Sequence, residues 1–310
     1  MSIIKNDGFY FFEWNNGQKS SLIMDKRVEA IIEYVNSHNI LSLTIQPHMH
    51  DVIDCPNVIL REITDLGFLE RMPNLTEIAI MDVADCDVGG LYSLKNLRSL
   101  TISNCTNNTS KNVRVDFSKF DKLADLSTDW FDKGFDISKN SELVSVAIYK
   151  YRPQNQDFSE LPLPKNIKNL ELVQSNISSL NGAQCDSLEK LELFYCPKLE
   201  TLNGISAFSR HLQRLMIEYA IHLTEYEDIA CCKSLESVVF ANCGNIGSLN
   251  WVKSMEKLSH FVLEKTVVED GDMKNLLTID KVAFTNKQHY NCKCRIGKRA
   301  DWGYEIVPND

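Results

Sequence analysis

The stretch Leu188-Glu189-Lys190-Leu191-Glu192-Leu193-Phe194-Tyr195-Cys196-Pro197-Lys198-Leu199-Glu200-Thr201-Leu202 decides the fold of this 310-residue chain. It reads L-x-x-L-x-L-x-x-C-x-x-L-x-x-L, with aliphatic residues at positions one, four and six. Side chains alternate along an extended strand, so positions four and six point to the same side. The pattern therefore predicts a short strand with one buried face, followed by a turn that returns two more leucines to the same core.

The three aliphatic positions of this frame recur along most of the chain. Ten copies follow one another at intervals of 20 to 26 residues, and their first residues are Leu75, Leu97, Leu123, Leu143, Ile167, Leu188, Leu212, Leu235, Leu258 and Ile279. An outlying copy begins at Ile40, and a degenerate copy is expected near residues 58–60. One repeat cannot bury its apolar face alone, but stacked neighbours can. The repeats therefore predict a solenoid.

Two further positions support the solenoid. An apolar group with the spacing of a short helical turn precedes most strands, as in Phe68/Leu69/Met72, Leu91/Leu94, Phe117/Phe120, Ile205/Phe208, Trp251/Met255 and Met273/Leu276. Position nine lies at the bend after the strand, where inward-turned backbone groups need a polar partner. Small hydrogen-bonding side chains occupy it in Cys105, Ser175, Cys196, Cys243 and Thr266.

This frame resembles that of leucine-rich repeat proteins, in the short-repeat class of about 22 residues that includes bacterial internalin-type domains and phosphatase-regulator repeats. The resemblance covers about residues 60–290. It implies an α/β solenoid, a horseshoe with a parallel sheet on its concave face and short helical or irregular turns on its convex face. The family often places asparagine at position nine, whereas this chain has cysteine, serine or threonine in five repeats and Val83, Phe131, Tyr151 and Ala220 in four others.

The N-terminal residues predict a cap for the open end of the stack. The aromatic run Phe9–Trp14, the turn signal Asn15–Gly17 and the run Ser20–Met24 predict a hairpin. Asp25 is expected to cap a helix with the apolar positions Val28, Ile31, Ile32 and Val35. A separate binding module is the alternative, but the copy at Ile40 follows immediately and favours a cap.

We therefore expect three parts in the chain. Residues 1–39 form the N-terminal hairpin and helix cap, residues 40–286 form 10 to 11 repeats, and residues 287–310 form a C-terminal closing segment. The closing segment contains a strand-like run at Asp301–Val307.

The composition of the chain indicates which class of partner it binds and in which cellular compartment it lies. The net charge of −9 and the pI near 5.4 argue against nucleic acid and favour a basic protein surface. Ten cysteines are explained better by the repeat frame and by buried free thiols than by disulfides. Without a run of 18 apolar residues or an apolar leader, we expect no membrane span and a cytoplasmic location, or secretion if a signal peptide was removed.

Two clusters contain metal-ligating residue types. The first consists of His48, His50, Asp51, Asp54 and Cys55, and a polar loop is the favoured interpretation because no second ligand pair follows at a recognised spacing. The second consists of His289, Cys292 and Cys294, which are too few ligands for a metal or redox centre. We therefore predict no cofactor and no metal.

The candidate site is the concave face of the sheet. Several aromatic and charged residues occupy frame positions whose side chains are not expected to point into the core. They are Trp130, Tyr149, Glu171, Glu192, Phe194, Tyr195, Glu218 and Tyr219. Exposed aromatic residues beside a few charges are typical of protein-binding hot spots. The alternative is that some of these rings lie along the edge and cover neighbouring repeats, and that the carboxylates form a solvated acidic face.

The function predicted from the sequence is non-enzymatic. The phosphate-binding, dinucleotide-binding, zinc-protease and serine-hydrolase motifs do not occur in the chain. We expect a protein–protein interaction module, and analogy within the family suggests an inhibitor or immunity-type protein that blocks a basic toxin or enzyme. The alternatives are a metal- or redox-linked regulator that uses Cys292, Cys294 and His289, and a secreted adhesion domain.

Overall fold

The structure of the chain, a computed structural model, describes residues 2–14, 19–46, 63–81, 86–103, 114–131, 133–297 and 303–309. The predicted hairpin turn at 15–17, the metal-ligating residue types at 48–55 and the degenerate repeat at 58–60 lie outside these residues. The chain divides into two compact units, residues 1–145 and 146–310. Each unit is described by itself.

In the first unit a sheet grows from the N-terminus. Its strands within the described ranges are β1 (Ser2–Asn6), β2 (Phe9–Trp14), β3 (Lys19–Ile23), β4 (Ser42–Ile45), β5 (Glu77–Met81), β6 (Ser99–Ser103) and β7 (Asp125–Asp129). β1, β2 and β3 pair antiparallel, and β3 to β7 pair in parallel. The hairpin therefore continues the repeat sheet as its first strands. The sequence did not predict β1.

The single α-helix of the described part is α1 (Val28–Ser37), as the apolar spacing predicted. Its N-cap residue is Arg27, so the expectation that Asp25 caps it is wrong. The buried carboxylate of Asp25 instead accepts a hydrogen bond from the backbone N–H of Arg27, 2.7 Å long, and forms an ion pair with the Arg27 guanidinium. The Asp25 carboxylate thus fixes the conformation of the chain immediately before the helix.

The strands of the second unit begin with β8 (Ser145–Tyr149) at the boundary. They continue with β9 (Asn169–Val173), β10 (Lys190–Phe194), β11 (Arg214–Glu218), β12 (Ser237–Ala241), β13 (His260–Glu264) and β14 (Lys281–Phe284). From β9 to β14 they pair in parallel and in register, so that the buried side chains form a file, Leu170, Leu191, Leu215, Val238, Phe261 and Val282. Full burial of one such side chain contributes about 1.5–3 kcal/mol relative to leaving it exposed. The predicted stacking of the repeats is confirmed.

Among the described residues, short 3₁₀ helices occupy the six predicted helical turns, and a seventh, Glu227–Cys231, was not predicted. In the first unit they are Gly67–Arg71, Gly89–Ser93 and Phe117–Lys119, and in the second unit they are Ile205–Phe208, Glu227–Cys231, Asn250–Ser254 and Lys274–Leu276. Each buries at least one apolar side chain against the core, for example Phe208 and Ile229. The helices Gly67–Arg71 and Gly89–Ser93 contact each other, and so do successive 3₁₀ helices of the second unit.

Position nine has the role that the frame predicted. The Ser175 hydroxyl donates to the carbonyl oxygen of Tyr151 over 2.8 Å, and Cys243 Sγ donates to the carbonyl of Ile217 over 3.3 Å. The hydroxyl of Thr266 accepts from the backbone N–H of Cys243 over 3.1 Å. Each of these three side chains bonds to the backbone of a neighbouring repeat. Of the other two residues of this set, Cys196 places its Sγ 3.8 Å from the carbonyl oxygen of Phe194 in its own repeat, and Cys105 lies outside the described residues.

The C-terminal segment adds a small antiparallel sheet. It consists of β15 (Cys292–Ile296) and β16 (Tyr304–Pro308), and β16 packs beside β14. Tyr290 is buried between the last repeat and this sheet, and its hydroxyl accepts a hydrogen bond of 2.9 Å from the backbone N–H of Val268. Across the described ranges, every helix falls short of the length and apolarity that a membrane crossing requires.

Candidate functional site

The strands of the second unit turn one set of side chains away from the core, and we call this side the outward face. Parallel register aligns its residues into three rows that cross the sheet. The amino-end row consists of Asn169, Lys190, Arg214, Ser237, His260 and Lys281. The central row consists of Glu171, Glu192, Met216, Val239, Val262 and Ala283. The carboxyl-end row consists of Val173, Phe194, Glu218, Ala241 and Glu264.

The three rows differ in chemistry. The amino-end row carries the cationic groups of the face, and the carboxyl-end row carries carboxylates at β11 and β13. The central row begins with two carboxylates on β9 and β10 and becomes apolar from β11 to β14. The face therefore offers an acidic part and an apolar part side by side.

The acidic part centres on Glu171 and Glu192, which occupy paired positions on adjacent strands. Burial raises the pKa of the Glu171 carboxyl, the charge of Glu192 raises it further, and Lys190 acts in the opposite direction. Lys190 Nζ lies 2.8 Å from Glu192 Oε2, and among the described residues it is the one cation in an ion pair with either carboxylate. A cation from outside would relieve the remaining repulsion between the two glutamates.

A left-handed residue follows each of six successive strands, from β8 to β13. The φ angles of Lys150, Gln174, Tyr195, Tyr219, Asn242 and Lys265 lie between 51° and 59°. The backbone N–H of Tyr195 donates to the carbonyl of Glu218, and that of Tyr219 donates to the carbonyl of Ala241, each over 2.9 Å. This conformation costs a non-glycine residue roughly 1–2 kcal/mol. The cost is offset because the left-handed residue donates one more backbone hydrogen bond to the following strand.

Two of these left-handed residues are tyrosines whose rings stack on each other. The ring centroids of Tyr195 and Tyr219 lie 4.6 Å apart and their planes differ by 8°. The two residues are 49% and 38% exposed, and Ile221, two positions after Tyr219, is 55% exposed. We call Tyr195, Tyr219 and Ile221 the tyrosine patch. Ile221 was missed from the sequence; the available signal was an aliphatic residue at position ten, where neighbouring repeats carry Pro197 and Gly244.

The structure groups most of the predicted site residues. Phe194, Glu218, Tyr195 and Tyr219 lie together at the carboxyl ends of β10 and β11, while Glu171 and Glu192 occupy the central row. Phe194, Glu218 and both central glutamates are half-buried, and so is Tyr149 at the end of β8.

Trp130 does not join this group, and its predicted place on the exposed face is wrong. The residue is only 5% exposed, and its ring centroid lies 4.7 Å from that of Phe135. Phe131 and Phe135 follow in the same turn and pack against each other and against Phe117. Trp130 therefore belongs to a buried aromatic cluster. Tyr151, two residues after the end of β8, is buried as well and donates its hydroxyl to the carbonyl of Asp157.

A depression borders the amino-end and central rows. Lys190, Arg214, Met216, Val239, His260 and Lys281 are among its lining residues. His260 Nδ1 lies 2.8 Å from the Ser237 hydroxyl. Burial lowers the pKa of the His260 imidazole, and the nearby Lys281 cation lowers it further. His260 is consequently held toward its neutral form.

The cysteines and His289 near the C-terminus occupy structural positions. Cys292 and Cys294 are buried on β15, and burial raises the pKa of both thiols. His289 Nε2 lies 2.9 Å from the carbonyl oxygen of Val268, where it can only donate. Within the described ranges, no three histidine, cysteine or acidic side chains converge as a metal site would require. The eight cysteines of those ranges carry free thiols.

Comparison with known proteins finds similarity to solved structures at low sequence identity. No family model and no curated protein matches the chain. Among solved structures, an internalin from Listeria monocytogenes is similar at 16% identity with a TM-score of 0.42, covering 73% of this chain and 78% of the internalin. Internalin C2 of the same species is similar at 14% identity, with a TM-score of 0.34 and coverage of 72% and 77%.

A leucine-rich repeat protein of Leptospira interrogans is also similar, at 14% identity with a TM-score of 0.34, covering 82% of this chain and 80% of that protein. The assignment of the fold rests on the chain itself. Its aliphatic frame, its in-register parallel strands, the hydrogen bonds at position nine and its alternating 3₁₀ helices are features of the leucine-rich repeat fold.

Proposed function

We propose that this chain is a non-enzymatic recognition protein that binds a protein partner on the outward face of residues 146–310. The observation that supports this most directly is the tyrosine patch. Two parallel tyrosine rings and an isoleucine are exposed together, although apolar surface is stabilised by burial.

The patch has the properties of a binding hot spot. Tyrosine presents a large, amphipathic surface with few rotatable bonds, so little conformational entropy is lost when a partner covers it. Stacking further restricts each ring, and the backbone beneath is fixed by the hydrogen bonds of Tyr195 and Tyr219 to neighbouring strands. Hot-spot residues are typically such pre-ordered aromatic side chains at the centre of an interface.

The charges beside the patch favour a basic partner. Glu218 directly precedes Tyr219, Glu171 and Glu192 lie on the central row of the same face, and the whole chain carries a net charge of −9. Complementary charge accelerates association and selects among partners. The specific form that we propose is inhibition, in which the face covers and blocks a basic toxin or enzyme.

Affinity capture tests the proposal. The wild-type chain, the double variant Tyr195→Ala/Tyr219→Ala and the control Tyr304→Ala are immobilised, and proteins retained from a lysate of the native host are quantified by mass spectrometry. Tyr304 is a suitable control because it is also a tyrosine, is 45% exposed and lies on β16. Loss of a hot spot of about 2 kcal/mol or more weakens binding roughly 30-fold or more.

We expect a basic protein that is retained by the wild type and by the control and is depleted on the double variant. Melting curves of the three proteins verify that each is folded. The same retained proteins in the same amounts on all three would contradict the proposal.

A further inference from the structure

We propose that the tyrosine patch recognises an arginine side chain of the partner, whose guanidinium stacks on an open tyrosine face while pairing with the carboxylate of Glu218. This inference rests on the proposed function and names the chemical group that the face selects. Its basis is the arrangement of two rings and one carboxylate at the carboxyl ends of β10 and β11.

The rings leave flat surface for a cation. In a stacked pair each ring covers one face of the other, and Tyr195 and Tyr219 are nearly parallel at 8°. Exposures of 49% and 38% show that a large part of each residue remains accessible. The electron-rich face of an aromatic ring attracts a cation placed within about 6 Å of its centre.

A carboxylate is available beside the rings. Glu218 directly precedes Tyr219, is paired in register with Phe194, and accepts the backbone hydrogen bond of Tyr195 through its carbonyl oxygen. In the described part of the chain, no cationic side chain lies within 4.0 Å of the Glu218 carboxylate, whereas Glu192 is paired with Lys190 at 2.8 Å. Glu218 is thus the carboxylate that a cation of the partner can pair with at the patch.

The combination of ring and carboxylate selects arginine over lysine. The guanidinium is planar and weakly hydrated. Its flat face can stack on an aromatic ring while its N–H groups, which lie in its own plane, bind a carboxylate at its edge. The lysine ammonium is compact and strongly hydrated and gains less from a ring. A site built from charge alone would bind both cations about equally.

Synthetic peptides separate these contributions. Fluorescently labelled octa-arginine and octa-lysine are titrated with the wild type, Tyr195→Phe/Tyr219→Phe, Tyr195→Leu/Tyr219→Leu, Glu218→Gln and the control Glu256→Gln, and binding is followed by anisotropy. Phenylalanine keeps the aromatic face and leucine keeps apolar volume without it. Glu256 is exposed and lies outside the three rows, so its variant removes the same charge elsewhere.

We expect the wild type and the phenylalanine variant to bind octa-arginine about 2- to 5-fold more tightly than octa-lysine, as an exposed cation–π contact provides. The leucine variant should bind both peptides equally, with unchanged affinity for octa-lysine. Glu218→Gln should weaken both peptides more than Glu256→Gln does. Melting curves establish that each variant is folded.

Equal affinities for the two peptides in the wild type, or an arginine preference that survives in the leucine variant, would overturn the inference. The two proposals fail separately. Tyrosine-dependent capture of a protein without an arginine preference leaves the proposed function standing and removes this inference. An arginine preference without tyrosine-dependent capture supports the inference and counts against the proposed function.

Discussion

Trp130 and Tyr195 occupy the same place in the repeat and have opposite environments. Each is an aromatic residue at position eight and directly follows its strand, β7 for Trp130 and β10 for Tyr195. Trp130 is 5% exposed inside an aromatic cluster, whereas Tyr195 is 49% exposed and stacked on its counterpart in the next repeat. Position in the frame therefore does not determine whether an aromatic ring faces the core or the solvent.

The difference arises from the residues that follow. After Trp130 the turn contains Phe131 and Phe135, whose rings supply a local apolar environment. After Tyr195 come Cys196, Pro197 and Lys198, and only the cysteine is buried. Among the described residues, the left-handed backbone is found at Tyr195 and not at Trp130. Turn composition and backbone conformation together direct the ring outward in one repeat and inward in the other.

The largest expected effect contrasts the stability contributions of the two rings. Trp130→Ala should lower the free energy of unfolding by about 3–5 kcal/mol, because a large buried side chain leaves a cavity. Tyr195→Ala should lower it by about 1 kcal/mol, since it removes one aromatic stack at the surface. Urea unfolding followed by circular dichroism measures both. Similar losses in the two variants would mean that burial does not distinguish these positions.

A second experiment sharpens the contrast through the backbone. At Tyr195, with φ of 55°, glycine should be more stable than alanine by roughly 1 kcal/mol, because glycine adopts the left-handed conformation without steric cost. At Trp130 the alanine variant should be the more stable by roughly 0.5–1 kcal/mol. Glycine has no conformational advantage there, and it loses more conformational entropy than alanine when the chain folds. The comparison uses the alanine and glycine variants at each position in the same unfolding assay. Alanine as the better residue at Tyr195 would contradict the left-handed assignment.

The smallest expected effect concerns the acidic part of the face near the patch. The pKa of Glu171 is raised by burial and by Glu192, so the folded state binds its proton more tightly than the unfolded state. Stability should therefore fall as the pH rises from the ordinary glutamate pKa through the raised pKa. Glu171→Gln should flatten this decline and should be more stable at pH 7 by about 0.2–1 kcal/mol.

Unfolding free energies of the wild type, Glu171→Gln and the exposed control Glu256→Gln between pH 4 and pH 7 measure this effect. The control should follow the wild type. A steeper decline in Glu171→Gln than in the wild type would show that the Glu171 carboxylate is stabilised by its surroundings.

The sequence predicts the strands of this fold well because their signal is periodic and local. Leu191 and Leu193 are buried, as alternation requires, and every repeat reinforces that register. The strand β1 was not predicted because Ser2–Asn6 is short and carries only two apolar residues. Asp25 was misjudged as the helix cap because the pairing with Arg27 depends on side-chain geometry that residue type does not reveal.

The candidate site was predictable only in part. Tyr195 and Tyr219 follow from the frame, but their mutual stacking depends on the left-handed backbone, which tyrosine does not favour by itself. The burial of Trp130 depends on rings from Phe135 and Phe117, which the frame treats as independent positions. Such non-periodic features depend on contacts between side chains and cannot be predicted from the repeat pattern.

The one-to-one register between neighbouring strands also limits how such a chain can change in length. Lys190 of β10 is paired with Arg214 of β11, so excising residues 190–213 would join Glu189 to Arg214 with every later strand still in phase. Losing a single residue inside a strand would instead turn all of its following side chains to the opposite side. The outward face can therefore lengthen or shorten during evolution only by whole repeats, each of which adds or removes one strand.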